Sequence, residues 1–160
     1  MNDTKALVDR LDVVDALYRF AAGQDLGDKE LFRSAWAADA ELDFVQPARR
    51  LGVDLPPFKG RDNITESIIG SVSGLTTTHT VTNPRVTIDG DRATLFALVE
   101  AQHLPKTDHS RHLLLKNFYW CDLVREAGAW KIRRMRIENA WIRGDAQVLF
   151  PAPSTGARNA

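Results

Sequence analysis

The sequence of 160 residues carries 21 basic and 21 acidic side chains, so its formal net charge is zero. This balance argues against a dominant phosphate-binding surface, and we expect no nucleic-acid partner. Cys121 is the sole cysteine, which excludes an internal disulfide.

The length of the chain predicts one domain, and an apolar content of 44% is typical of a globular core. No apolar run is long enough to span a bilayer, so we expect no membrane partner. Because the sequence also shows no leader with a basic start and an apolar run, we expect a cytoplasmic protein.

The first part of the sequence has the periodicity of helices. A helix is predicted from about residue 4 to residue 22, with one apolar stripe facing the core, formed by Leu7, Leu11, Val14, Tyr18 and Ala21 and widened by Val13, Leu17 and Phe20. Gly23 is expected to end it. A second helix is predicted from Asp28, the expected N-cap, with Trp36 among its inward side chains. A short strand at 41–45 and a proline-containing loop at 46–60 then precede a third helix at 62–72.

The second part of the sequence reads as four strands, at 77–88, 92–103, 112–125 and 130–141. Short links join them, which predicts an antiparallel meander. Pro84 lies within the first run and removes a backbone donor, so we expect a bulge there. Helices on one face of such a sheet make an α+β domain.

Five segments occur in a characteristic order and spacing: Tyr18-Arg19-Phe20-Ala21-Ala22-Gly23-Gln24-Asp25, Phe58-Lys59-Gly60-Arg61-Asp62, His79-Thr80-Val81-Thr82-Asn83-Pro84, Asp89-Gly90-Asp91-Arg92-Ala93-Thr94 and Trp130-Lys131-Ile132. Through them the sequence resembles the SnoaL-like branch of the nuclear transport factor 2-like superfamily over about residues 7–143. The resemblance implies a cone-shaped barrel, made of a strongly curved and mostly antiparallel sheet with three N-terminal helices. This domain would span residues 1–143. The tail at 144–160 is expected to be partly disordered, or to dock residues 148–150 on the domain or a neighbouring subunit.

Some members of this branch are lyases, among them scytalone dehydratase, hexachlorocyclohexane dehydrochlorinase and bile acid 7α-dehydratase. Their pattern places an aspartate after the first helix and a histidine on the first long strand. The resemblance therefore implies that Asp25 and His79 form a catalytic pair at the wall of an apolar pocket. A neutral imidazole can remove a proton from carbon while a carboxylate fixes its tautomer, and this step needs no metal or other cofactor.

Six further residues are candidates for contacting the substrate: Tyr18, Phe20, Trp36, Phe58, Asn83 and Tyr119. The two tyrosines are the candidates for positioning water on the substrate, as scytalone dehydratase does. Asn83 shares a strand face with His79 if Pro84 leaves the alternation intact. Phe20 stands where the dehydrochlorinase type carries a basic side chain, which leaves the acid for the leaving group unassigned.

Three functions remain open at this point. The first is a lyase of the dehydratase type, acting without a cofactor on a small hydrophobic substrate, cyclic or polyketide-like. The second is an isomerase or polyketide cyclase that uses the same base. The third is a non-catalytic subunit for ligand binding or assembly, related to the small subunit of ring-hydroxylating dioxygenases, because fold alone does not fix function.

Self-association is also predicted from the third strand-like run. Leu113, Leu115 and Tyr119 alternate there with a second apolar set, formed by Leu114, Phe118 and Trp120. A strand that is apolar on both faces is typically covered on both. We therefore expect a homodimer or a homotrimer.

Overall fold

The computed structural model describes residues 2–151. The helices are α1 (Asn2–Leu26), α2 (Lys29–Ser34), α3 (Val45–Arg50) and α4 (Arg61–Val72). The strands are β1 (Trp36–Asp43), β2 (Phe58–Lys59), β3 (Leu75–Asp89), β4 (Arg92–Pro105), β5 (Leu113–Glu126) and β6 (Ala129–Gly144). A 3-10 helix follows at Ala146–Val148.

The six strands form one curved, unclosed sheet in the order β2-β1-β6-β5-β4-β3. Strands β3 to β6 pair antiparallel, as the meander predicted, whereas β1 runs parallel to β6 from Trp36 opposite Ile132 to Asp43 opposite Arg136. The α+β class is therefore confirmed. Trp36 begins β1 and does not lie in the second helix, where the sequence pattern placed it.

Helix α1 buries only part of the predicted face. The exposed fractions of Leu7, Leu11 and Tyr18 are 63%, 70% and 47%, so the prediction is wrong for these residues. Val13, Leu17, Phe20 and Ala21 are buried as predicted, together with Ala16 and Gln24. The buried stripe includes small and polar side chains, so periodicity alone centred the predicted face on the larger apolar residues beside it.

Gly23 lies within α1 and does not end the helix. A Cβ on Gly23 would lie 2.5 Å from the backbone nitrogen of Phe32, so the missing side chain lets α2 cross directly over α1. Asp28 caps α2 as predicted, because its Oδ1 accepts a hydrogen bond of 2.9 Å from the backbone N–H of Leu31. Asp25 consequently falls in the last turn of α1, beside this crossing.

Two other segments differ from their predictions in detail. The segment 46–60 contains the short helix α3 and the two-residue strand β2, where a loop was expected. Pro47 is tolerated in α3 because it lies in the first turn, where a helix makes few backbone N–H bonds. The bulge beside Pro84 is confirmed, since the β3–β4 register shifts between Thr82 and Arg85 and Asn83 has a φ of 54°.

The helices cover the inner face of the sheet. Inward residues of β4 and β5, such as Leu95, Val99 and Leu123, pack with Leu17 and Phe20 of α1 in the main core. The C-terminal segment closes a smaller cluster, in which Val148 is buried against Leu113 and Leu115. The predicted docking of residues 148–150 thus occurs on the same chain. The predicted disorder of the tail falls mainly on residues 152–160, which lie outside the described residues.

Among residues 2–151, no helix combines the length and the apolar character that a membrane crossing requires.

Candidate active site

Asp25 and His79 lie in direct contact between the last turn of α1 and strand β3. The distance between Asp25 Oδ1 and His79 Nδ1 is 2.6 Å. The other carboxylate oxygen, Oδ2, accepts a hydrogen bond of 2.7 Å from the backbone N–H of His79. Thr77 donates its hydroxyl to Oδ1 at 2.9 Å, from the same face of β3. Three donors therefore fix this carboxylate against the strand.

These hydrogen bonds determine the protonation of the pair. Burial alone would raise the pKa of Asp25, but hydrogen bonds from the His79 ring, the His79 backbone and Thr77, with the charge of His79, hold it below its usual value. The carboxylate is thus an acceptor at neutral pH, so the shared proton is assigned to Nδ1 of His79. In this tautomer Nε2 carries the lone pair of the ring, and the His79 side chain is only 3% exposed.

The His79 ring lines a cavity of about 100 Å³ between the helices and the inner face of the sheet. Most of its wall is apolar, supplied by Phe20, Leu42, Phe44, Phe58, Ile68, Leu115 and Ile137. Leu55, Leu149 and Phe150 complete the wall from the loop at 51–57 and the C-terminal segment. The cavity is smaller than the 300–1,000 Å³ typical of sites for drug-sized ligands. A cyclic ligand would therefore have to displace side chains of these two segments.

A second histidine, His103 on β4, lines the same cavity. Its ring centroid lies 6.0 Å from that of His79, and its Nδ1 lies 3.4 Å from the carbonyl oxygen of Leu113. Burial, followed by the charge of His79, lowers the pKa of His103 to about 4. His103 is therefore neutral at pH 7, and donation from Nδ1 to Leu113 leaves Nε2 as an acceptor.

Two polar side chains of β5 complete the cavity wall, Asn117 and Tyr119, which are 1% and 3% exposed. Asn139 on β6 donates its amide to Oδ1 of Asn117 at 2.8 Å, which fixes the orientation of the Asn117 side chain. Burial raises the pKa of the Tyr119 phenol, and hydrogen bonding with Asn117 offsets this in part. Tyr119 is therefore a neutral hydroxyl at the cavity wall.

Of the six predicted contact residues, Phe20, Phe58 and Tyr119 line the cavity and three do not. Tyr18 is on the exposed side of α1, because this helix turns the neighbouring stripe inward. Trp36 is fully buried behind the wall, with its ring centroid 5.6 Å from that of Phe20. Asn83 is exposed, because its positive φ at the bulge ends the alternation that would have aligned it with His79.

The polar residues of the cavity that the sequence reasoning missed are His103 and Asn117 on the strands, and Gln24, Ser67 and Ser71 on the helices. For the two strand residues, the available signal was the alternation of inward and outward side chains. His103 follows the inward residues Val99 and Ala101 at two-residue steps, and Asn117 lies between Leu115 and Tyr119 on the inward side of β5. A polar residue in an inward, apolar series marks a cavity or a buried hydrogen bond.

A larger groove of about 730 Å³ lies on the outer face of the sheet, but it carries none of these residues. Charged side chains such as Glu41, Asp122 and Arg134 line it, and it is open to solvent. Within residues 2–151, no cluster of three or more histidine, cysteine, aspartate or glutamate side chains is arranged to hold a metal ion. The apolar cavity at His79, on the helix-covered face of the sheet, is therefore the candidate active site.

Comparison with known proteins places the chain among relatives of similar length. It is 31% identical over 152 residues to the terrestric acid biosynthesis cluster protein E of Penicillium crustosum, covering 91% of this chain and 92% of that protein.

Solved structures share the fold at lower identity. A candidate scytalone dehydratase from Novosphingobium aromaticivorans superposes with a TM-score of 0.74 at 19% identity, covering 89% of this chain and 91% of the other. A hexachlorocyclohexane dehydrochlorinase (LinA, type 2) superposes with a TM-score of 0.73 at 19% identity, covering 95% and 99%. The model of the SnoaL-like domain matches residues 5–136. This chain therefore belongs to the SnoaL-like domain family.

Proposed function

We propose that the protein is a cofactor-free lyase that eliminates water from a small hydrophobic substrate, cyclic or polyketide-like. The single observation that carries this proposal is the 2.6 Å contact between Asp25 and His79 at an apolar cavity. A carboxylate that holds Nδ1–H leaves a neutral imidazole with its second nitrogen available to accept a proton. The apolar wall strengthens the ion pair that forms when the imidazole becomes charged.

The proposed step begins with Nε2 of His79 removing a proton from a carbon next to a carbonyl group. The electrons of the C–H bond form a double bond to the neighbouring carbon, and the hydroxide on that carbon departs. The imidazolium then returns the proton to the departing hydroxide, which leaves as water, so atoms and charge balance. Asp25 stabilises the imidazolium between the two proton transfers.

The other polar residues of the cavity suit the two oxygens of such a substrate. Tyr119 can donate its hydroxyl to the substrate carbonyl, where negative charge develops in the transition state. The neutral His103 has Nε2 available to accept a hydrogen bond from the leaving hydroxyl. Both roles are proposals that follow from burial and protonation: Tyr119 is 3% exposed, and Nδ1 of His103 lies 3.4 Å from the carbonyl oxygen of Leu113.

Two relatives support elimination chemistry through their names. One structural neighbour is a candidate scytalone dehydratase and another is a dehydrochlorinase, so both names describe the loss of a small leaving group. The relative from a terrestric acid biosynthesis cluster supports a substrate of the polyketide type. An isomerase or a cyclase would use the same base on a substrate without a leaving group. The non-catalytic alternative gives no reason for an Asp–His pair at an apolar cavity.

The test incubates the protein with a panel of β-hydroxy ketones built on one and two carbocyclic rings. Mass spectrometry then detects the loss of one water, and nuclear magnetic resonance in deuterium oxide detects exchange at the carbon next to the carbonyl. We expect wild type to dehydrate at least one compound and His79→Ala to lose about 10²–10⁴-fold in rate. His109→Ala, at an exposed position, is the matched control and should be unchanged.

The two readouts separate the alternatives. Deuterium exchange with no loss of water would indicate an isomerase or cyclase and would overturn the lyase proposal. Turnover that His79→Ala leaves unchanged would exclude His79 as the base.

A further inference from the structure

Two buried asparagines lie side by side on the inner face of the sheet. Asn117 of β5 and Asn139 of β6 are directly opposite each other in the strand register, and they are 1% and 4% exposed. Asn117 lines the cavity, whereas Asn139 stands behind it. The register shifts between Lys116 and Asn117, so Ala140 is an extra residue and β6 has a bulge beside Asn139.

The backbone at this bulge determines which end of the Asn139 amide is the donor. Nδ2 of Asn139 lies 3.2 Å from the carbonyl oxygen of Lys116 and 3.0 Å from that of Trp141. Carbonyl oxygens only accept hydrogen bonds, so the group between them must be the NH₂. The same NH₂ donates to Oδ1 of Asn117 at 2.8 Å. The NH₂ of Asn117 is therefore turned away from Asn139.

The NH₂ of Asn117 has Tyr119 as its neighbour. Tyr119 lies two residues along β5, on the same inward side of the strand. Burial raises the pKa of Tyr119, and hydrogen bonding with Asn117 opposes this rise, which is the effect of a donor aimed at the phenol oxygen. An oxygen that accepts from Asn117 keeps its own hydrogen for another acceptor, and Tyr119 lines the cavity.

We propose that Asn139 is a positioning residue, which directs the hydroxyl hydrogen of Tyr119 into the cavity through Asn117. This inference rests on the proposed function for one point, the role of Tyr119 as donor to the substrate carbonyl. Reversing either link of the chain would set two donors or two acceptors against each other. The cavity consequently offers a donor beside Tyr119, which favours a ligand with a carbonyl oxygen at that place.

An unpaired oxygen on Asn139 supports a role beyond stability. Its Oδ1 is buried and has no hydrogen-bond donor among residues 2–151. A buried acceptor without a donor destabilises the folded state. The amide at this position is therefore better explained by what its NH₂ group orients.

Helix α3 holds the backbone of Asn139 from the other side. Oε1 of Gln46 accepts a hydrogen bond of 2.7 Å from the backbone N–H of Asn139. Nη1 of Arg50 donates to the carbonyl oxygen of Asn139 at 2.7 Å. These two contacts fix the bulge where the strand ladder is interrupted. They make α3 part of the support of the site, although its side chains at 46 and 50 belong to a distant part of the sequence.

The experiment measures the carbonyl stretching frequency of bound cyclohexenone, labelled with carbon-13 at its carbonyl, by isotope-edited infrared spectroscopy. This ketone has the carbonyl of a one-ring product and no leaving group, so the measurement needs no turnover. A hydrogen bond to the carbonyl lowers the frequency, and we expect wild type to show this shift. Tyr119→Phe should abolish it. Asn139→Ala should lose most of it, because Asn117 can then turn its oxygen toward the hydroxyl of Tyr119.

The controls separate positioning from a general loss of structure. Asn139→Ala should change nothing further in the Tyr119→Phe background, whereas a merely structural role would act in both backgrounds. Asn83→Gly removes an exposed amide at the other bulge, where a φ of 54° suits glycine, and should keep the full shift. If Asn139→Ala does not fold, Gln46→Ala should reduce the shift, and Gln46→Glu, which keeps the acceptor for the Asn139 N–H, should retain it.

The outcomes distinguish this proposal from the lyase assignment. An unchanged shift in Asn139→Ala, or in Gln46→Ala where that variant replaces it, would overturn the positioning role. A wild type without a shift, or a further loss in the double variant, would also overturn it. A protein that shifts the ketone frequency in the expected pattern but eliminates no water would keep the positioning role and lose only the lyase assignment.

Discussion

Replacing Asp25 with asparagine should reverse the tautomer of His79 while keeping the shape of the site. The carboxylate accepts hydrogen bonds from the His79 backbone N–H at 2.7 Å, from Thr77 at 2.9 Å and from Nδ1 of His79 at 2.6 Å. An asparagine has one acceptor oxygen and one donor NH₂ in the same two places. The backbone N–H can only donate, so the asparagine oxygen must take the place of Oδ2.

The NH₂ group of the asparagine then occupies the place of Oδ1. Thr77 can rotate its hydroxyl and accept a hydrogen bond from this group, but Nδ1 of His79 must lose its proton to do so. The proton moves to Nε2, which then faces the substrate as a donor and no longer as a base. We expect the turnover rate to fall about 10³–10⁴-fold, the scale measured when the same replacement reverses the tautomer in serine proteases.

The free energy of unfolding should fall by only about 1–3 kcal/mol, because a charged acceptor is replaced by a neutral one at a partly exposed site. The assay is nitrogen-15 correlation spectroscopy of the imidazole, which distinguishes a protonated Nδ1 from a protonated Nε2. Thr77→Val is the matched control: it removes one donor and keeps the carboxylate, so the tautomer should not change. An Asp25→Asn protein with Nδ1 still protonated, or with wild-type turnover, would refute this reasoning.

Three further predictions concern the cavity and the helix crossing. The pKa of His103 is about 4 in the folded protein and about 6.5 when unfolded, so the unfolded state binds the proton first. The free energy of unfolding should therefore fall as pH drops from about 6.5 to about 4. In His103→Gln, the free energy of unfolding measured by denaturant titration should change less over the same pH range. Phe150→Ala removes part of the cavity wall and so enlarges the small cavity. The KM should fall several-fold for two-ring compounds only, and an equal fall for one-ring compounds would contradict this. Gly23→Ala should destabilise the fold by about 2–3 kcal/mol, because its Cβ meets the Phe32 backbone, whereas Gly70→Ala on the open side of α4 should be neutral or stabilising in thermal unfolding.

The sequence predicted the elements whose signals are local. The Asp28 cap, the Pro84 bulge and the four long strands depend on residue types at fixed spacing, and the structure has them. The resemblance to the SnoaL-like family, which the comparisons confirm, placed Asp25 and His79 within hydrogen-bond distance of each other although 54 residues separate them. Periodicity describes residues within one helix or one strand, so it could not have predicted this contact.

The remaining features depend on packing between distant elements. The rotation of α1 about its axis follows from Gly23 and the close approach of α2, which a stripe of Leu7 and Leu11 cannot reveal. His103 and Asn117 become site residues only because β4 and β5 curve around one cavity. The alternation along each strand showed that both side chains point inward, but it could not show that they line the same cavity.

The parallel pairing of β1 with β6 sets the order in which the chain can fold. Trp36 finds its partner Ile132 almost a hundred positions later, so nearly the whole chain must leave the ribosome before this pair can form. Until then β1 can contact only elements made earlier, such as α4 and the two-residue strand β2, and its longest edge stays unpaired. Long-range pairing of this kind slows folding and prolongs exposure of unpaired strand edges. The nascent chain should therefore depend on chaperones until its last strand has been synthesised.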